Sequence, residues 1–214
     1  MAQLVINEIF HSIQGESGHM GRPCVFVRLT YCNLRCSYCD TEYAFYEGTP
    51  MDNNEILQKV ASYHCKLVEI TGGEPLVQEG VHDFMTLLCN EGYEVLLETG
   101  GSLDISPVDA RVKRIVDLKC PSSGMLKKNL YSNIDHLRPT DEVKFVIGNR
   151  DDFDWAAETI EKHGLVKRCP VLMSVVFGVL EPVVLAEWIL ESKLNVRFQL
   201  QMHKYIWQPE TRGV

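Results

Sequence analysis

The stretch Val25-Phe26-Val27-Arg28-Leu29-Thr30-Tyr31-Cys32-Asn33-Leu34-Arg35-Cys36-Ser37-Tyr38-Cys39-Asp40-Thr41 decides the fold. Its first five residues are apolar or β-branched apart from Arg28 and read as a buried strand, 25–29. Three cysteines follow within eight positions. Outward from this stretch, similar short runs recur at 67–70, 94–97, 114–118, 143–147, 171–176 and 196–200. Amphipathic stretches at 53–63, 81–91, 152–163 and 182–191 separate most of them. Asp52 or Asn53 suits a helix N-cap, Gly92 and Gly164 suit helix ends, and Pro182 suits a first helical turn. The segment 125–137 reads as a poorly formed helix or an ordered loop. Alternating β and α elements imply an α/β fold with a largely parallel sheet and right-handed crossovers. The clear pairs are too few for a complete eight-fold barrel. An open, partial barrel is expected, with a flavodoxin-like open sheet as the runner-up, in one domain spanning 1–214.

Polar or unusual residues sit just after the strands. They are Thr30-Tyr31-Cys32, Thr71-Gly72-Gly73-Glu74-Pro75, Glu98-Thr99-Gly100-Gly101, Lys119-Cys120-Pro121 and Gln201-Met202-His203-Lys204. In parallel α/β folds the C-terminal strand ends share one face, and that face carries the site.

The 214 residues allow a sizeable core, and 45% hydrophobic with 23% charged residues is an ordinary globular balance. A formal net charge of −8 argues against broad binding to nucleic acid and favours a small substrate. No apolar run suits a membrane span, and the N-terminus lacks the pattern of a signal peptide, so a cytoplasmic protein with reduced thiols is expected. Disulfides therefore do not explain the eight cysteines. Cys24, Cys65, Cys89, Cys120 and Cys169 read mainly as small buried hydrophobes.

Thiolates at 32, 36 and 39 suit iron or zinc. Three ligands leave one iron of a cubane cluster open, where a cofactor can bind directly. Zinc usually takes four ligands, and Cys24 or His19 could supply the fourth. Spacing alone leaves both metals open.

The Cys-x3-Cys-x2-Cys loop after the first barrel strand, with Tyr38 before the last cysteine, resembles the radical S-adenosylmethionine superfamily. Gly72-Gly73-Glu74-Pro75 is similar to that family's glycine-rich motif. Within it, the segment from Ile6 through Gln14-Gly15-Glu16 resembles the N-terminal part of the 7-carboxy-7-deazaguanine synthase family. The segments 25–29, 39–41 and Gln201 to Lys204 match as well. The resemblance implies an open barrel of the radical SAM type, a [4Fe–4S] cluster on Cys32, Cys36 and Cys39, and S-adenosylmethionine chelating the open iron. It implies cleavage of that cofactor to an adenosyl radical and ring contraction of 6-carboxy-5,6,7,8-tetrahydropterin to 7-carboxy-7-deazaguanine, with loss of ammonia, in queuosine and 7-deazapurine biosynthesis.

By the same resemblance, Ile13, Gln14, Gly15, Glu16, Arg28, Thr71, His203 and Val214 bind the pterin. Glu16 can accept two N–H bonds from an aminopyrimidinone edge, and Arg28 can clamp the substrate carboxylate through its planar fork. Tyr38, Cys39, Asp40, Gly73, Asp117, Leu118, Lys119 and Ser174 contact S-adenosylmethionine, and Thr41 binds Mg²⁺. The chain reads Ser174-Val175 where the family pattern has a proline after the first residue. The implied partners are an electron donor such as flavodoxin or ferredoxin and a second copy in a homodimer. Neither nucleic acid nor a membrane is expected. Two alternatives share parts of this pattern. One is a glycyl-radical-enzyme activase of the same superfamily; the other is a non-enzymatic, metal-binding or electron-carrying module.

Overall fold

A computed structural model describes residues 3–214. The strands are β1 (Gln3–Ile13), β2 (Pro23–Leu29), β3 (Thr49–Asp52), β4 (Leu67–Gly72), β5 (Glu94–Thr99), β6 (Lys113–Asp117), β7 (Glu142–Ile147), β8 (Val171–Val175) and β9 (Arg197–Gln199). The helices are α1 (Asn53–Ala61), α2 (Val81–Asn90), α3 (Arg150–His163), α4 (Pro182–Ser192) and the short α5 (His203–Ile206). Asp52 caps α1 through a reciprocal box with Glu55, and Gly164 ends α3 at φ +61. The segment 125–137 forms two 3-10 turns, Leu126–Lys128 and Tyr131–His136.

One nine-stranded sheet runs in the order β3-β1-β2-β4-β5-β6-β7-β8-β9. From β2 to β9 the pairing is parallel and in chain order, while β1 lies antiparallel to both β2 and β3. The antiparallel β1 and β3 are additions to the predicted strands. In β1 the register shifts between Ile6 and Glu8, a bulge that interrupts the apolar alternation by which a strand is recognised.

Helices cover a single face of this sheet. Ile56 and Val60 of α1 and Phe84, Met85 and Leu88 of α2 pack on Val27, Val68, Ile70, Val95 and Leu97. Phe153, Ala156 and Ile160 of α3 and Leu185 and Ile189 of α4 pack on Val143, Phe145, Val171 and Met173. A flavodoxin-like sheet carries helices on both faces, so this one-sided cover selects the open partial barrel.

The other face is concave. Phe10, Cys24, Phe26, Leu67, Leu96 and Ile115 form a small core there. Beside it, the β1–β2 hairpin loop crosses the inside of the sheet. Gly18 N–H donates to both carboxylate oxygens of Glu142 in β7 at 3.0 Å. Gln199 Nε2 of β9 donates to the Ser17 carbonyl at 2.9 Å, and Met202 N–H donates to the Gly15 carbonyl at 2.9 Å. The loop thereby joins the two sides of a sheet whose strands do not close.

Candidate active site

The concave face opens into a cavity of about 790 Å³ at the C-terminal strand ends. Cys32, Cys36 and Cys39 line one side of it, all half-buried. Their loop is held by its own backbone, with Leu34 N–H 3.4 Å from Cys32 Sγ and Cys39 N–H donating to the Cys36 carbonyl at 3.2 Å. Burial pushes all three thiols above the usual cysteine range. The thiolate is the metal-binding form, so metal binding here must displace protons.

The glycine turn after β4 packs directly against this loop. A Cβ on Gly73 would stand 2.2 Å from the Tyr31 carbonyl oxygen, and one on Gly72, at φ +150, would stand 2.3 Å from the Leu29 carbonyl oxygen. Neither position admits a side chain. Buried Glu74 ties the turn to the end of β5 by accepting from Gly100 N–H at 2.7 Å and from Thr99 Oγ1 at 2.9 Å. Its burial lifts its carboxyl above the ordinary range despite these bonds.

The opposite wall is charged. Lys144 of β7 is buried and pairs with Glu16 at 2.8 Å and closely with Glu98 of β5. Thr71 Oγ1 lies 3.5 Å from Glu98, and Gln201 Nε2 donates to the other Glu16 oxygen at 2.9 Å. Burial opposes ionisation of Glu16, but Lys144 outweighs it and holds the carboxyl below its ordinary range. Glu69 of β4 is buried beside these groups, and its hydrogen-bond donor is the Gln14 amide. Burial, then the nearby Glu98 charge, raise its carboxyl well above the carboxylate range. Gln14 Oε1 accepts from Glu16 N–H at 2.5 Å, so the Gln14 side chain is spent on shaping the loop. A Cβ on Gly15 would stand 2.2 Å from His203 Nδ1. Burial lowers the His203 imidazole below its usual value, against the pull of Glu16.

The mouth is formed by Arg28, the segment after Cys39 and the last residues. Arg28 Nε donates to Glu8 at 2.8 Å. Asp40 accepts from Lys204 Nζ at 2.6 Å and from Thr41 Oγ1 at 3.0 Å. Thr41 opens the 3-10 turn Glu42–Phe45 with no side-chain capping bond, so its hydroxyl oxygen remains able to accept or ligate. Pro209, Glu210, Arg212 and Val214 line the cavity, with Arg212 3.8 Å from the Tyr43 ring centre.

Of the residues expected at the site, Ile13, Gln14, Gly15, Glu16, Arg28, Thr71, His203 and Val214 line this one cavity, as do Tyr38, Asp40, Thr41, Gly73, Asp117, Lys119 and the three cysteines. Leu118 and Ser174 do not. Leu118 packs in the core under α3, and Ser174 is buried within β8. Among the polar wall residues outside the expectation are Tyr43, Glu69, Glu98, Thr99 and Lys144, with Glu8 behind Arg28. Glu69 and Lys144 had a legible signal, a charge in the middle of an apolar parallel strand.

The donor set fits a cubane better than a single zinc ion. Cys24 opens β2, whereas Cys32 follows its far end, and a strand rises about 3.3 Å per residue. His19 is bound to Glu94, at the start of β5, at 2.8 Å. Neither reaches the thiols. Among the described residues no three His, Cys, Asp or Glu side chains converge on one ion. A cubane takes one thiolate per iron, so its ligands stand apart around one side of the cavity. Beyond the thiols, the backbone approach at Gly73 and the buried Asp117 Oδ1, unpartnered among the described residues, offer polar contacts for a further ligand.

Comparison with known proteins agrees with this geometry. The radical SAM superfamily matches residues 27–181. The 7-carboxy-7-deazaguanine synthase of Chlorobaculum tepidum is 48% identical over 100% of this chain and 98% of its own length. That of Koribacter versatilis is 46% identical, covering 98% of this chain and 99% of its own. The crystal structure of QueE from Escherichia coli superposes with a TM-score of 0.78 at 21% identity, covering 94% of this chain and 95% of that one, which establishes the shared fold.

Proposed function

Because the chain belongs to the radical S-adenosylmethionine superfamily and, within it, to the 7-carboxy-7-deazaguanine synthases, we propose that it contracts 6-carboxy-5,6,7,8-tetrahydropterin to 7-carboxy-7-deazaguanine with loss of ammonia. The observation that carries this reading is one cavity with three thiols on one side and a carboxylate, ammonium and guanidinium wall on the other. Cys32, Cys36 and Cys39 would hold the [4Fe–4S] cluster, with S-adenosylmethionine between it and Gly73, Tyr38, Asp117 and Lys119. When bound, these two groups supply the one-electron chemistry that ends in hydrogen abstraction from carbon.

The chain's own residues bind, orient and exclude water. Glu16, kept ionised by Lys144, is the acceptor for the pterin's N–H edge. Arg28 receives the substrate carboxylate, and Thr71 and His203 border the same space. Thr41 supplies one oxygen for Mg²⁺, whose remaining positions suit water and substrate oxygens. Phe10, Phe26 and Phe177, with the residues at 209–214, shield the reacting centre from solvent.

The same reading extends to context. One sheet threads the described chain, which supports a single domain over 1–214. No described helix is long and apolar enough to cross a membrane, and the free thiols suit a reducing cytoplasm. A flavodoxin- or ferredoxin-type donor would supply electrons, and a homodimer is the assembly expected by resemblance.

The deciding experiment is anaerobic turnover with reductant, S-adenosylmethionine and Mg²⁺, read by product mass. Wild-type protein with a full cluster is expected to release 7-carboxy-7-deazaguanine. Cys36→Ser is expected to lose iron, visible absorption and turnover together. A fully loaded cluster without product would overturn the proposal.

A further inference from the structure

Arg28 is an arginine with most of its hydrogen-bonding capacity unused. Its Nε donates to Glu8 Oε1 at 2.8 Å. Among the described residues neither terminal nitrogen has a hydrogen-bond partner, although the side chain is only 17% exposed and lines the cavity. An ion pair built only for stability would engage the terminal nitrogens in the stronger two-pronged arrangement. The guanidinium lies 5.7 Å from the Phe10 ring centre and 6.0 Å from that of Tyr43, two rings that limit its swing.

Glu8 owes its place to the bulge in β1. Ile6 pairs with Leu29, so regular pairing would set Asn7 against Arg28. The extra residue instead sets Glu8 against Arg28, and Asn7 turns away to the Glu47 carbonyl at 2.6 Å. Tyr43 O–H then donates to the same Glu8 oxygen at 2.9 Å. A carboxylate accepting from two directions has its orientation fixed, and it fixes the Nε edge of the arginine in turn.

We infer that Glu8 is a positioning residue that turns Arg28 so that its two terminal N–H groups face the cavity as a fork for the substrate's carboxylate, with Tyr43 holding Glu8. This rests on the proposed role of Arg28 as the carboxylate contact. Glu8 selects substrate through Arg28 and touches no reacting atom.

The test is equilibrium binding to the anaerobically reconstituted holoenzyme, with 6-carboxytetrahydropterin and the 6-unsubstituted tetrahydropterin as the two probes. Wild-type protein is expected to favour the carboxylated ligand, and Arg28→Met to lose that preference. Glu8→Ala is expected to lose at least about tenfold of the preference, the scale of a charged hydrogen bond. Glu8→Gln keeps an acceptor oxygen and is expected to stay within about threefold of wild type. Tyr43→Phe, which keeps the ring, is expected to lose about fivefold and carries the test if Glu8→Ala does not fold. Full preference in Glu8→Ala, or tighter binding of the carboxylated ligand, alongside its loss in Arg28→Met, overturns the inference alone. Preference that survives Arg28→Met, or is absent from wild type, overturns the reading of Arg28 beneath it.

Discussion

Lys144 and Phe145 are adjacent in β7 and point to opposite faces of the sheet. Phe145 is fully buried under α3, edge-on to Trp155 at 5.9 Å between ring centres. Lys144 is almost as buried, yet it faces Glu16 and Glu98 across the cavity. The same alternation recurs along β4, where Val68 and Ile70 pack under helices while Glu69 and Thr71 face the cavity. One face is ordered by shape and area, the other by charge balance. A sheet covered on one side can therefore carry stability and chemistry on alternate residues.

This contrast fails if the two faces are interchangeable, and the paired truncation at 144 and 145 is the strongest way to break it. Phe145→Ala is expected to cost about 3–5 kcal/mol of folding stability in denaturant titration, with kcat/KM per folded molecule nearly unchanged. Lys144→Met keeps most of the volume but leaves two carboxylates without their cation, at a cost of about 3 kcal/mol. It should also cut kcat/KM by about a hundredfold, because Glu16 loses its anchor. Equal losses of activity in both variants would erase the distinction.

Glu69 sharpens the same contrast through pH. Burial and the Glu98 charge raise its carboxyl above the unfolded value. Its contribution to stability is then complete below the ordinary carboxylate range and is lost as pH rises through the raised value. Glu69→Gln lacks this titration, so its stability relative to wild type is expected to improve steadily from acidic to alkaline pH. A constant difference across that range would show that Glu69 does not retain its proton. The smallest effect belongs to the helical face. Asp52→Ala should cost about 1 kcal/mol in thermal unfolding by removing the α1 cap, with turnover unchanged.

Much of this was legible in the sequence because its signals are local. The seven parallel strands follow one another in chain order, so apolar runs and helix caps were enough to place them. The cysteines and the glycine turn also announce themselves within a few residues. The β1 strand was obscured by its bulge, which brings Asn7 and Glu8 together where a polar residue should alternate with an apolar one. The roles of Glu8 and Tyr43 were hidden for another reason. Their partners lie 20 and 35 residues away, one across an antiparallel register and one from a 3-10 turn, and such distant contacts leave no mark on either segment alone. Leu118 and Ser174 show the converse. The family resemblance put them at the cofactor, but Leu118 packs into the core just past β6. Ser174, although its side of β8 is the concave one, is buried and does not line the cavity.

The hairpin loop that joins the two sides of the sheet has a geometric consequence. A barrel closed by strand pairing can change girth only in whole steps of strand number and shear. Here the seam is a loop fastened by Gly15 to Met202 and by Ser17 to Gln199. Small backbone adjustments in that loop can widen or narrow the interior by fractions of an ångström without breaking a ladder. Girth becomes a continuous variable, set by the chain between β1 and β2 instead of by the sheet.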